Sequence, residues 1–340
     1  MIGRKLLVVL AAFGLLLALP ACEKKEKQKK KKKPAKKKKK KEKAKPVEPD
    51  PSKPATVGLV TVESDKSVDA VVKEMKGRLK KARSVEIIAT VDHAANAKSV
   101  AEGDSEEPPL EATTLLLFTN PDLETPLIND SLTAGLDLPQ KVLVWKGEGG
   151  KTNISFNAPS YVAKRHGVKR LDLFLGRLEN GLSNVVENSS GATVPGIPKR
   201  PDIGIKKQQG VITRESNNGV TDTFETMVKF VEESDDLKLI AKVDHTANAK
   251  KVGRELRPAK LVVFGNPKMG TPLMKMSRTV GLDLPQKMFI YENEYGDILI
   301  AFNDPKFLAM RHGFDAKAEI VKKMDTALKK VAAKAAKEIE

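Results

Sequence analysis

Two widely separated segments of this chain are near-copies of each other. Val91-Asp92-His93-Ala94-Ala95-Asn96-Ala97-Lys98 returns as Val243-Asp244-His245-Thr246-Ala247-Asn248-Ala249-Lys250. Gly135 to Lys141 returns unchanged as Gly281 to Lys287, and Phe156-Asn157 with Arg165-His166-Gly167 returns as Phe302-Asn303 with Arg311-His312-Gly313. Self-similarity on this scale means that one folding unit was duplicated, so whatever fold the chain adopts it adopts twice. All four histidines fall at matched positions, two per copy.

Each copy writes the same order of elements. Gly58 to Val62 alternates as a short strand, and Val68, Val71, Val72, Met75 and Leu79 form the apolar stripe of an amphipathic helix with Ser67 as its N-cap. Val85 to Val91 and Thr114 to Phe118 read as strands. Thr125-Pro126-Leu127 opens a short helical or looped excursion ending at Asp137-Leu138-Pro139, which reads as a turn entering a strand. Lys141 to Trp145 and Lys151 to Phe156 flank the hairpin signal Gly147 to Gly150. Pro159 starts a helix closed at His166-Gly167, and a further helix trails each copy, Leu171 to Val186 and Ala316 to Ile339. Copy two repeats the series, with its helix stripe on Val220, Phe224, Met227 and Val231.

The spacing between copies is 152 residues up to Lys98/Lys250 and 146 from Asn120/Asn266 onward, so copy one carries six extra residues within Ala101 to Thr113. An insertion of that kind belongs in a surface loop. The unit is β-α-β4-α plus a trailing helix, an α+β arrangement. At about 130 residues, each copy is long enough to bury its own core. The expected domains are 56–190 and 208–340, joined by a linker at 191–207.

The N-terminal region reads as an address. Arg4 and Lys5 precede an apolar run from Leu6 to Leu19, too short to span a bilayer comfortably and suited to a signal peptide. It ends at Leu19-Pro20-Ala21-Cys22, which resembles a bacterial lipobox, with Cys22 as the lipidated residue after cleavage of 1–22. The alternative is a plain secretory signal or uncleaved anchor with a chance cysteine. Cys22 is the sole cysteine, so structural disulfides are excluded.

Sixteen Lys and three Glu between Glu23 and Lys45 supply +13 of the formal net charge of +17. Arg4 and Lys5 supply a further +2, and residues 46–340 hold only +2. The basic character thus belongs to a tether, 23–55, which is expected to stay disordered. Close to anionic lipid or envelope polymers, each lysine would add about 1 kcal/mol of attraction. A simple solvated spacer is the other reading. The expected location is the cell envelope, lipid-anchored on the periplasmic or outer side of a membrane.

In this order, Asp-His-Ala-Ala-Asn-Ala, Asn-Pro-x-x-x-Thr-Pro-Leu, Gly-Leu-Asp-Leu-Pro-x-Lys and Arg-His-Gly resemble the family called domain of unknown function 302, in both copies. Copy one departs from the pattern at Thr119, where copy two has Gly265, and in its longer loop. The resemblance implies a compact β-α-β4-α domain, similar to half of a TATA-box-binding-protein-like saddle, that often pairs with itself. An intramolecular pseudo-dimer of the two copies follows as an expectation. The resemblance implies no activity or cofactor.

Candidate site residues are Asp92, His93 and Asn96 with Asp244, His245 and Asn248, placed directly after a strand, and secondarily Asp137 and Asp283. A carboxylate beside an imidazole suits metal binding or general base chemistry. Capping of a helical turn by Asp92, with Asn96 bonding backbone, is the structural alternative. His166 and His312 are expected to meet the negative end of a helix macrodipole. There is no His-x-x-x-His, Cys-x-x-Cys, Gly-x-Ser-x-Gly or phosphate-loop motif. Aromatic residues at 4% of the chain argue against a base-stacking platform for nucleic acid. The expected function is a non-enzymatic module binding a small ligand or metal. A structural or protein-interaction lipoprotein and an unrecognised enzyme using the Asp-His clusters are the alternatives.

Overall fold

The computed structural model describes residues 57–101, 110–169, 171–196 and 204–337. The signal peptide, Cys22 and the Lys-rich tether lie outside the described residues.

Copy one runs β1 (Leu59–Ser64), α1 (Val68–Lys81), β2 (Glu86–Asp92), α2 (His93–Ser99), β3 (Thr113–Thr119) and α3 (Pro121–Asp130). A 3-10 turn at Leu132–Leu136 then leads to β4 (Gln140–Lys146), β5 (Thr152–Asn157), α4 (Pro159–His166) and α5 (Asp172–Ser190). Copy two repeats this as β6 (Val211–Ser216), α6 (Val220–Glu232), β7 (Lys238–Asp244), α7 (His245–Lys251), β8 (Ala259–Gly265) and α8 (Pro267–Met276). Its own 3-10 turn at Arg278–Leu282 precedes β9 (Gln286–Glu292), β10 (Ile298–Asn303), α9 (Pro305–His312) and α10 (Glu319–Ala335). The short helices α2 and α7, read from sequence only as a possible capped turn, continue each Asp-His motif.

Each copy forms an antiparallel five-stranded sheet, in the orders β1-β5-β4-β3-β2 and β6-β10-β9-β8-β7. A bulge recurs at matched places, between Ile87 and Ala89 and between Leu239 and Ala241. Local chemistry sets the helix ends. Ser67 Oγ accepts from Ala70 N, and Gly167 and Gly313 close α4 and α9 at φ +75°, a conformation that glycine adopts without a side-chain clash.

The two sheets remain separate ladders rather than one continuous sheet, but their faces are buried against each other's copy. Strand alternation does this. Val142 and Val144 join α1's Val71 and Met75 in one core cluster, while Leu143 between them packs with Leu115 and with Leu282 of the other copy. Phe289 on β9 reciprocates toward copy one, where a Cβ added at Gly135 would lie 2.4 Å from its ring. Fully burying a side chain such as Leu143 or Phe289 contributes roughly 1.5–3 kcal/mol. The insertion of copy one is not purely a surface loop. Leu110 at its end is buried in copy two's core cluster, and Glu111 O accepts from Arg278 Nη1 at 3.1 Å.

Candidate functional site

Asp137, expected as a turn residue, is 2% exposed and sits at the centre of an ionic network between the copies. Its Oδ2 accepts from Arg165 Nη1 at 2.7 Å and from His166 Nε2 at 2.9 Å. Arg165 then crosses to copy two, donating to Asn303 Oδ1 and to the carbonyls of Gln209 and Gly210. The arrangement repeats with roles exchanged. Arg311 and His312 donate to Asp283 Oδ2, and Arg311 crosses to Asn157 Oδ1 at 2.6 Å and to Val57 O. Each guanidinium lies over an aromatic ring, Arg165 on Phe307 and Arg311 on Tyr161. Lys141 Nζ joins both halves, 3.3 Å from Asp283 Oδ1 and 3.8 Å from Asp137 Oδ1.

Burial alone would raise the pKa of Asp137, but Arg165, the His166 hydrogen bond and Lys141 together hold it well below the usual carboxylate range. Asp283 is held low in the same way by Arg311, Lys141, His312 and Lys287. Burial lowers His166 and His312 below their ordinary value. These are therefore not imidazolium groups stabilised by a macrodipole. The neutral ring of His166 directs Nε2–H to Asp137 and accepts at Nδ1 from Thr133, while His312 does the same with Asp283 and Thr279. Lys287 is pushed down to about 7 by burial and by Lys141, and its Nζ has no hydrogen-bond partner among protein atoms. The network occupies packed interior, and its carboxylates are committed to cations of the chain itself.

The Asp-His motifs divide their labour. Asp92 Oδ1 caps α2 at Ala95 N, and Asp244 Oδ1 caps α7 at Ala247 N while pairing with Lys260. Both aspartates are therefore helix caps. His93 is buried, its Nε2 3.2 Å from Gly281 O of the other copy, and burial takes it down to about 4 despite the Gly281 and Asp92 contributions. His245 is likewise lowered to about 4 by burial, against Asp244 and the Gly135 backbone, and packs edge-on to Phe289. Its Nε2 makes no close hydrogen bond.

The copy-one motif lines a cavity that Asp244, His245 and Asn248 do not reach. A cavity of about 70 Å3 lies where Val91, His93 and Asn96 face copy two, whose β7, β8–α8 junction, β9 start and α10 complete the walls. The walls are mainly apolar, from Ile240, Phe264, Met269, Met274, Leu284, Met324 and Leu328. Polar groups enter from His93, Asn96, Lys238, Asn266, Thr271 and Gln286. Asn248 is buried on α7 and does not line it, nor do Asp137 and Asp283. Thr271 and Gln286 both stand inside the repeated motifs, in Asn-Pro-x-x-x-Thr-Pro-Leu and Gly-Leu-Asp-Leu-Pro-x-Lys, but nothing in the sequence shows that they meet at one cavity. The mismatch of Thr119 with Gly265 was the visible signal. Among the described residues no group of three or more His, Cys, Asp or Glu stands together as a metal centre.

The fold, the ionic network and the capping Asp-His motif recur in tandem, as expected for a duplicated α+β module. A family model described as "Domain of unknown function DUF302" matches residues 60–189 and 212–331, so the chain belongs to that family and carries its domain twice. A segment of 111 residues, 33% of this chain, is 38% identical to the protein named Fluoride-specific ion channel FluC 1 of Brucella suis biovar 1 (strain 1330), over 43% of that protein. A protein of the same name from Brucella abortus biovar 1 (strain 9-941) matches at 38% identity over 41% of its length. The chain thus spans less than half the length of these curated relatives. A crystal structure of an uncharacterized conserved DUF302 protein from Bacillus stearothermophilus covers 37% of this chain and 98% of its own, at 18% identity and TM-score 0.34.

Proposed function

We propose that this protein is a cell-envelope lipoprotein whose duplicated domain binds a small organic ligand without chemically changing it. The observation carrying the reading is the cavity between the copies, apolar on most of its wall with a few polar groups among them. That is the general make-up of a small-molecule site. A nucleophile paired with a free base does not line it, since His93 is already engaged with Gly281 O. A catalytic reading therefore has less support than a binding one.

The two copies act as one pseudo-dimer in this account. Reciprocal arginines reach across to Asn303 and Asn157, and the cavity itself takes walls from both copies. The membrane placement rests on the Leu19 to Cys22 signal and the lysine tether, with lipid on Cys22 as the anchor. Among the described residues no helix is long and apolar enough to cross a membrane. The partial match to proteins named as ion channels is compatible with a role beside a membrane.

A thermal-shift screen of the intact protein against small organic metabolites and divalent cations tests the binding reading. An organic compound should raise the melting temperature in the parent and in His245→Ala, and lose most of that effect in His93→Ala. Stabilisation by no organic compound, or equal loss in both variants, would contradict the reading. Mass spectrometry showing an N-terminus still ahead of Cys22 would contradict the lipoprotein part.

A further inference from the structure

Where copy two lines the cavity with Gly265 and Gly270, copy one places larger, buried side chains. In copy one, Thr119 and Glu124 are both buried, and Glu124 Oε2 accepts from Thr119 Oγ1 at 2.6 Å. Glu124 Oε1 accepts from Gln140 N at 3.2 Å. At the spacing of 146 residues, the matched positions in copy two are Gly265, Gly270 and Gln286. The backbone is the same at this point, with Phe118 opposite Gln140 and Phe264 opposite Gln286. Copy two therefore keeps the strand position of Gln140 as Gln286 but has neither the carboxyl group nor the Thr119 hydroxyl that holds it. All three of its matched residues line the cavity.

The polar atoms left there point to what would fit. Gln286 Oε1 and Thr271 Oγ1 are buried without a hydrogen-bond partner among protein atoms, and both residues line the cavity. A buried polar atom in that condition carries a cost of about 1–3 kcal/mol, which a ligand able to satisfy it would recover. An amine offers no good acceptor to Thr271, and a hydrocarbon offers nothing to either. A carboxylic acid, a primary amide and an alcohol each offer both an acceptor and a donor, and the carboxyl group that copy one carries at the matched position, on Glu124, selects the acid among them. The remaining walls, such as Phe264, Met274 and Leu328, would take its aliphatic part. The size is right for a short chain, because one water needs only roughly 10–15 Å3 of such space and the cavity offers about 70 Å3.

Resting on the ligand-binding reading above, we infer that the ligand is a short-chain aliphatic carboxylic acid. Its carboxyl group occupies in copy two the place that Glu124 fills in copy one. Copy one is thus a domain with its ligand group built in, and copy two is the open form of the same domain.

Isothermal titration calorimetry of the intact protein with hexanoic acid, hexanamide, hexan-1-ol and hexylamine tests this. Hexanoic acid should bind one per chain, and the other three about tenfold or more weaker. Gly270→Glu grafts copy one's own side chain into the cavity and should lower acid affinity by about tenfold or more at an unchanged fold. The graft is sterically reasonable, since a Cβ at Gly270 meets Leu284 Cδ1 at 3.6 Å, an ordinary contact. Gly265→Thr, the other half of the graft, provides an independent reading if Gly270→Glu does not fold. Absent binding of hexanoic acid, equal binding of the alcohol or amide, or acid binding indifferent to both grafts would overturn the inference. Alcohol binding that both grafts abolish would overturn the acid alone and leave the ligand-binding reading standing.

Discussion

Arg165 of the first copy donates through Nη2 to Asn303 Oδ1 of the second at 2.8 Å, while its Nη1 holds Asp137 at 2.7 Å. One guanidinium thereby neutralises a buried carboxylate in its own domain and closes the contact with the other. Arg311 performs the same two tasks in reverse, with Asp283 and Asn157.

Removing Arg165 should therefore be costly for two separate reasons. Arg165→Ala leaves Asp137 buried with weaker partners, and breaking a buried pair on one side typically costs about 3–5 kcal/mol. Asn303→Ala, which deletes only the neutral acceptor, should cost about 1–3 kcal/mol. Urea unfolding at pH 7 measures both. A loss under about 1 kcal/mol for Arg165→Ala would mean that the network does not hold the copies together.

Lys287 is the weak member of this network. Four cationic side chains, Lys141, Arg165, Lys287 and Arg311, surround two aspartates, and Lys287 Nζ lies 3.9 Å from Asp283 Oδ1 with no hydrogen bond. Its pKa of about 7 against an ordinary 10.5 means that folding disfavours its charge. Lys287→Met should be neutral or stabilising by up to about 4 kcal/mol at pH 7, because Asp283 keeps Arg311, His312 and Lys141. The gain should shrink as pH rises from about 7 to 10.5, where neutral Lys287 becomes compatible with burial. Marked destabilisation at pH 7 would assign Lys287 an essential ionic role instead.

Glu124 and the motif histidines give the stability opposite pH slopes. Burial raises Glu124 from 4.5 to about 7, so its stabilising contribution is complete below 4.5 and is lost as pH rises through about 7. His93 and His245 are lowered from 6.5 to about 4, so their contribution is complete above 6.5 and is lost as pH falls toward 4. Each group is worth up to about 3 kcal/mol at the far end of its range. Glu124→Gln should remove the decline in melting temperature between pH 5 and 8 and leave the acid side unchanged. An unaltered profile would show that Glu124 is not titrating in the fold.

The element order was legible because it depends on local pattern: the stripe from Val68 to Leu79, the Ser67 cap, the hairpin at Gly147 to Gly150 and the Gly167 helix end all recur in the structure. Asp137 was read as a turn because its partner Arg165 lies 28 residues away and the crossing contact to Asn303 spans 138, distances over which periodicity carries no information. His166 was misread for the same reason, since only the fold puts Asp137 and Thr133 around its ring. The cap role of Asp92 was legible from its place ahead of a helical turn, whereas the burial of His93 against Gly281 was not. The cavity is a matter of missing side chains. Gly265 was visible as a mismatch with Thr119, but its meaning required Glu124, which Thr119 holds in copy one, to be matched with Gly270 on the cavity wall of copy two.

The central claim is that the space between His93 and copy two receives a ligand, and methyl NMR of methionine-labelled protein tests it most directly. Met269, Met274 and Met324 line the cavity, while Met75 and Met227 are buried away from it. On titration with hexanoic acid the first three methyl signals should move together and saturate, with Met75 and Met227 fixed. Stationary cavity methyls under saturating ligand, or shifts spread evenly over all five, would contradict the account.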